Sequence, residues 1–291
     1  MSQAMIDPDA FRDFEVASWE KKAEPYHRFM GLITSRVIDP LLDAARVGPG
    51  MRLLDVATGP GYAAARAAER GASVVGVDIA HQMVALARKL HPGLEFRHAD
   101  AERLPFGDGS FNAITGNFVV LHPARPEQAT AEFARVLIPG GHLGLSIRDG
   151  PERARILGVF VDAVQEVGVV PPPDLPPGPP FFRFLSDDEF SGPLRSAGPE
   201  GVAVQLLVFT HRLSGPDELW DNWLAASVRT GVLILGQAAE TQRRIRAAFD
   251  RLVREYAVEA GLELPVSAKL ASGRKRAGPL QGRTGLASRG R

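Results

Sequence analysis

The sequence predicts a doubly wound α/β fold, with a mostly parallel seven-stranded sheet and a helical lid inserted before the last strand. Three observations carry this expectation. Short apolar runs alternate with amphipathic stretches from Met51 to Ile147, a glycine turn follows the first run, and the first three runs end in acids. MRLLDVA (51–57), ASVVGVD (72–78), LEFRHAD (94–100), FNAITGNF (111–118) and HLGLSI (142–147) read as strands. Tyr62–Arg70, Ile79–Leu90 and Glu127–Leu137, between them, place apolar residues at helical spacing. Strands that alternate with helices imply right-handed crossovers and a parallel sheet covered on both faces. Pro151–Gly168 reads as helix, whereas PPPDLPPGPP (171–180) cannot be helix or central strand because prolines lack N–H donors. Ser186-Asp-Asp-Glu189 has the spacing of a capping box. Val202–Leu213 alternates as a strand and Pro265–Ser272 reads as the last one. Helical periodicity fills Gly215–Ala260, which is the expected lid over the sheet's carboxyl edge.

Composition narrows the function classes. The 291 residues carry 34 Lys and Arg against 34 Asp and Glu, which excludes a generic polyanion binder. Seven cations and no acid lie in residues 269–291, leaving residues 1–268 at −7 and without a basic groove, so no nucleic-acid partner is expected. No segment approaches ~18 uninterrupted apolar residues, and the first residues lack a basic patch followed by an apolar run. The expectation is a cytoplasmic protein without stable membrane insertion. With no cysteine there is no disulfide, thiolate metal site or cysteine nucleophile. No His, Asp and Glu cluster shows metal spacing, so no metal is expected. The sequence carries no signal for the oligomeric state.

In such a sheet the ligand lies across the carboxyl ends of the strands, near the point where strand order reverses. Those ends read Asp55 to Gly61, Asp78-Ile79, Asp100-Ala101, Asn117-Phe118 and Arg148-Asp149. Gly59, Gly61 and Ala64 complete G-x-G-x-x-A, in which glycine lets the backbone turn tightly against a ligand. Asp78, nineteen residues after Gly59, can accept both hydroxyls of a ribose. The Asp100 carboxylate can accept an adenine amino proton, and the Ala101 N–H can donate to a ring nitrogen. Asp55 can hold an ammonium group, directly or through water, but would repel a pyrophosphate. An adenosine bearing an amino acid therefore fits better than a dinucleotide.

LLDVATGPGY (53–62), VVGVDIA (74–80), RHADAERLPFGDGSFNAI (97–114) and RVLIPGGHLGLS (135–146) resemble the class I S-adenosylmethionine-dependent methyltransferases, in their UbiE/COQ5-like branch. The chain departs from the usual pattern at Ala57, where the loop normally has glycine, and at His98 and Ile138. The resemblance implies a Rossmann-like methyltransferase fold and S-adenosylmethionine as cofactor. Gly59 and Gly61 would pass under its methionine and ribose portions, with Asp55 and the Ala57 carbonyl near its amino group. Asp78 would take the ribose hydroxyls, Ile79 and Met83 would pack on adenine, Asp100 and Ala101 would fix its edge, and Asn117 would contact the methionyl portion. Tyr26, on the leading helix, would fold over the cofactor. The implied organisation is N-terminal helices over the cofactor site (1–48), an α/β cofactor core (49–150), a lid and substrate region with the last two strands (151–276), and a disordered basic tail (277–291).

A sulfonium is already an activated methyl donor, so a general base is needed only for acceptors such as alcohols or phenols. Histidine is the first side chain to look for. His122, after the fourth strand, is the candidate catalytic residue and, with Phe118, Phe181 and Phe182, a candidate substrate contact. Phe181, Phe182, Phe184, Trp220, Trp223 and Gly231–Leu235 make the lid apolar, which favours a small hydrophobic or aromatic acceptor, methylated at carbon or oxygen. Two alternatives remain from the residues alone. One is a nucleotide-dependent oxidoreductase, opposed by Asp55 and the absence of a Tyr-x-x-x-Lys pair; the other is a cyclase or regulatory protein that binds the cofactor without methylating.

Overall fold

The computed structural model describes residues 7–172 and 175–277. Four strands in the order β3 (Glu95–His98), β2 (Ser73–Asp78), β1 (Arg52–Val56), β4 (Phe111–Gly116) run parallel, and β5 (Leu137–Arg148) continues them. The long β8 (Gly261–Arg274) pairs antiparallel with β5 and with β6 (Glu200–Leu213), so the sheet reads β3-β2-β1-β4-β5-β8-β6. A two-residue β7 (Ala257–Val258) adds an eighth strand beside β8; it replaces the end of the helical stretch expected to run to Ala260. Strand order reverses between β1 and β4, which is where the site forms.

The central strands are buried along nearly their whole length, four of five residues in β1 and five of six in β2. Helices on both faces explain that pattern. The helices α4 (Tyr62–Glu69), α5 (His81–Leu90) and α6 (Pro126–Val136) form the crossovers. Each lies within a few residues of its predicted bounds. Gly76, opposite Asp55 in the β1–β2 ladder, has no room for a side chain, since a Cβ there would lie 2.6 Å from the Phe96 ring.

Ahead of the sheet come α1 (Pro8–Arg28), which packs on α5, α2 (Met30–Thr34), and α3 (Ile38–Ala44), which packs on β5. The α1 N-terminus is capped by Asp7, whose Oδ1 accepts from the Asp9 amide at 3.0 Å. After β5 come α7 (Arg155–Val167) and α8 (Asp187–Ser196), the latter opened by the reciprocal Ser186–Glu189 capping box. Between β6 and β8 lie α9 (Pro216–Ala226), α10 (Arg229–Leu235) and α11 (Ala239–Val253). They pack against α7 around Phe160, whose ring lies 5.3 Å from Trp223 and 4.8 Å from Phe249. Trp220 belongs to this core, stacked 5.7 Å from Phe160, and so does not face the site.

The basic stretch is partly architectural. Lys269, on β8, pairs with Asp187 at 2.7 Å, and Lys275 donates to the Leu137 carbonyl at 2.7 Å. The expected tail beyond Ala277 lies outside the described residues. Among the described residues no helix is long and apolar enough to cross a membrane.

Candidate active site

A cleft of about 1400 Å³, part of it open to solvent, lies over the β1–β4 reversal. The loop after β1 forms its floor. Thr58 N–H donates to the Val77 carbonyl at 2.9 Å and Gly59 N–H to Asp78 Oδ2 at 2.9 Å, so the loop is fastened to the end of β2. Ala57 has φ +53°, a left-handed conformation that disfavours a Cβ, at the position where the resembled pattern has glycine. Phe118, at φ +59°, is strained in the same way after β4. Both line the cleft, and such strain persists only where the surroundings enforce it. A Cβ on Gly59 would meet nothing within 4 Å, which leaves the loop's upper side clear for a ligand.

Of the residues singled out from sequence, Tyr26, Ala57, Gly59, Asp78, Ile79, Met83, Asn117, Phe118, His122 and Phe181 line this cleft. Asp100 and Ala101 line an adjoining recess with Ala57, Ile79 and His122. Three residues are placed differently. Asp55 is buried beneath the loop, 1% exposed, with Oδ2 accepting from Thr58 Oγ1 at 2.7 Å and Oδ1 from Thr115 Oγ1 at 2.9 Å. It lines neither cavity, because the loop backbone passes between it and the open space. Gly61 caps α4 at φ +85° and faces Phe96, where a Cβ would come within 2.8 Å. Its glycine is required by packing. Phe182 sits edge-on behind Phe181 at 5.0 Å, against the lid core.

Burial governs the charges. It pushes the Asp55 carboxyl up to about 6 in spite of its two hydroxyl donors. Asp78 is also raised by burial, although amides of Ala80 and Gly59 oppose the shift. The Tyr26 hydroxyl, pushed up to about 12 by burial, lies 3.1 Å from Thr34 Oγ1. The Asn117 side chain donates to the Thr34 carbonyl at 3.1 Å and accepts from Ser146 Oγ at 2.7 Å. That anchors the β4 end at the cleft. Asp100 forms an ion pair with Arg12 of α1 at 2.8 Å, so an adenine amino group would have to displace Arg12 to reach that oxygen.

Sequence reasoning missed Glu15, Arg148 as a site residue, and Arg229. Glu15, 4% exposed on α1, accepts from Trp19 Nε1 at 3.0 Å and lies 3.0 Å from His122 Nδ1, all through Oε2. No local motif marks it, because its partners are brought in by the fold. Arg148 was visible as the end of the fifth strand, but nothing in the sequence indicated that it would lack an acid partner. No three His, Asp or Glu among the described residues are arranged to hold a metal ion.

The sheet order, the glycine loop and the acid at the end of β2 together define the class I methyltransferase scaffold. Residues 54–145 match the family model described as a methyltransferase domain. A demethylmenaquinone methyltransferase of Renibacterium salmoninarum is 39% identical over 103 residues, 35% of this chain and 44% of that protein. Another, from Paenarthrobacter aurescens, is 26% identical over 201 residues, covering 65% and 79% of the two chains. The YcgJ protein from Bacillus subtilis shares the fold with a TM-score of 0.55 at 21% identity, over 84% of this chain and 99% of that one. Residues 54–145 thus match a methyltransferase domain and are similar in sequence to the demethylmenaquinone methyltransferases. The match spans less than half the length of the Renibacterium protein.

The raised carboxyl of Asp55 yields a stability prediction. Its folded-state proton affinity exceeds that of the unfolded chain, so its contribution is fully present below about pH 4 and is lost as pH rises through about 6. The loss is on the order of 3 kcal/mol. Asp55→Asn has no such proton to lose, so the stability of the variant relative to wild type, measured by urea unfolding, should increase between pH 4 and pH 7. A difference that does not change with pH contradicts the assignment.

Proposed function

We propose that the chain is an S-adenosylmethionine-dependent methyltransferase acting on a small, hydrophobic, aromatic acceptor of quinone-like size, methylated at carbon or oxygen. One observation carries the reading: a glycine loop and ribose-placed acid open directly into an apolar chamber roofed by the lid. The residues fit the cofactor, because Gly59 leaves its upper side open and Asp78 reaches the same cleft. The name shared by the curated relatives supports the acceptor class.

When bound, the cofactor supplies a sulfonium-activated methyl group. In this reading Asp78 orients the ribose, and the Ala57 and Asn117 backbones hold the amino-acid portion. Asp55 acts from below the loop, fixing Thr58 and so the path of the backbone. Ile33, Leu157 and Trp223 exclude water and align the acceptor, which is most of what an already activated donor requires. Glu15 accepts from His122 Nδ1–H, which leaves Nε2 as the ring nitrogen able to take an acceptor's hydroxyl proton.

Calorimetry should detect S-adenosylhomocysteine binding and negligible NAD binding. Asp78→Ala should weaken the former by about 1.5–3 kcal/mol, the range for hydrogen bonds to a charged group. Tighter binding of NAD, or an unchanged constant in the variant, would overturn the reading. For an oxygen acceptor, His122→Asn should lower kcat by about a hundredfold at unchanged S-adenosylhomocysteine affinity. A full-rate variant would remove His122 from the proton path.

A further inference from the structure

The lid end of the cleft is rich in hydrogen-bond donors and poor in acceptors. Arg148, the last residue of β5, and Arg229, the first of α10, meet over the single ring of Phe181, with their guanidinium carbons 3.8 and 5.2 Å from its centroid. Both line the cleft, and neither forms an ion pair among the described residues. Their protein partners are backbone carbonyls, Phe181 at 2.7 Å for Arg148 and Pro179 at 3.0 Å for Arg229. Arg148 Nε is buried without any partner, and so are Trp223 Nε1 and Ser227 Oγ, which line the same cleft; the one unpartnered buried acceptor there is Glu15 Oε1 of α1.

We propose that this end of the cleft is an oxyanion subsite, in which Arg148 and Arg229 hold a carboxylate carried by the otherwise apolar acceptor. The inference rests on the methyltransferase reading and extends it to the acceptor's chemistry. A guanidinium is a planar fork of donors suited to a carboxylate, and burying one without a counter-ion is unfavourable. Burial, reinforced by the neighbouring Arg229 and opposed by the Glu15 carboxylate, draws the Arg148 guanidinium down to about 9, which still leaves it a cation at neutral pH. Burial lowers Arg229 in the same direction.

The acids of the cleft do not fill the gap. Asp78 is bonded to the Gly59 and Ala80 amides; Glu15, whose Oε2 is held by Trp19 and His122 and whose Oε1 is buried without a partner, attracts both arginines through space but forms an ion pair with neither. Asp149, next to Arg148 in sequence, is taken by Arg153 at 2.5 Å. The cleft is therefore polarised. Its acids, Asp78 and Glu15, lie toward the glycine loop and His122, and cations without an ion-pair partner lie toward the lid, where the acceptor enters. Met30, Ile33 and Leu157 line the same space and suit an apolar body behind the charged group. The carboxylate is a handle that orients the acceptor, and the methylated atom lies nearer His122.

The test uses 2-naphthoate and its neutral analogue 2-naphthamide as probes, titrated by calorimetry into the full chain saturated with S-adenosylhomocysteine. Wild type should bind the acid at least ~10-fold tighter than the amide, the lower end for charge-assisted hydrogen bonds. In Arg148→Gln/Arg229→Gln the preference should fall to near unity while S-adenosylhomocysteine affinity is retained. Arg148→Lys, which keeps the charge and loses the fork, should fall between. Equal or undetectable binding of the acid by wild type, or a preference that survives in the double variant, would overturn the subsite. The wild-type comparison stands even if the double variant does not fold. Failure of S-adenosylhomocysteine to bind would instead strike the methyltransferase reading, since the preference for the acid can be measured without it.

Discussion

Burying the Asp55 carboxylate beneath the turn that follows β1 is the constraint around which the cleft is arranged. Its two oxygens receive hydroxyls from Thr58 in the loop and from Thr115 on β4, so one side chain ties together the two strands that flank the reversal of sheet order. Removing a carboxylate from water is costly, and the raised proton affinity of Asp55 records that cost. With Thr58 fixed from below, its N–H and that of Gly59 reach the end of β2, and the strained Ala57 has no freedom to relax. The loop is thereby preorganised. Its open upper side is a consequence of what lies beneath it.

Much of the sheet was legible because the burial that makes a parallel strand also writes a continuous apolar run, as in β1 and β2. The capping box at Ser186 was legible because it is a purely local arrangement. The loop, Asp78 and the lid insertion followed from spacing and order along the chain. Side-chain direction was not legible. Asp55 and Asp78 both follow strands as acids beside the same loop, yet one is sealed under the backbone and the other reaches the cleft. Phe181 and Phe182 are adjacent and chemically identical, and both pack on the lid core, but only Phe181 also lines the cleft. Gly61 fits the ligand-approach pattern and is required by Phe96 instead. Arg229, Glu15 and their surroundings come from helices distant in sequence, so only the tertiary fold reveals that the arginines lack acid partners.

The insertion between β6 and β8 gives the scaffold its own character. Aromatic packing around Phe160 and Phe249 holds the lid helices as a second apolar core, which lets the cleft-facing start of α10, Arg229 and Thr230, be polar without loss of support. The cleft consequently has an acidic floor and a cationic roof separated by apolar walls. Such a gradient orients a ligand that carries opposite charges at its two ends, and it favours an anionic partner beside a cationic donor.

The central claim is that the space above Gly59 is the cofactor site and the space beneath the lid is the acceptor site. A crystal structure with S-adenosylhomocysteine tests it most directly. The account predicts ribose hydroxyls within hydrogen-bonding distance of Asp78, the amino-acid portion over Ala57 and Gly59, and the sulfur pointing toward the chamber shared by His122 and Arg148. Density for the ligand outside this cleft, or with its sulfur turned away from the lid, would contradict it.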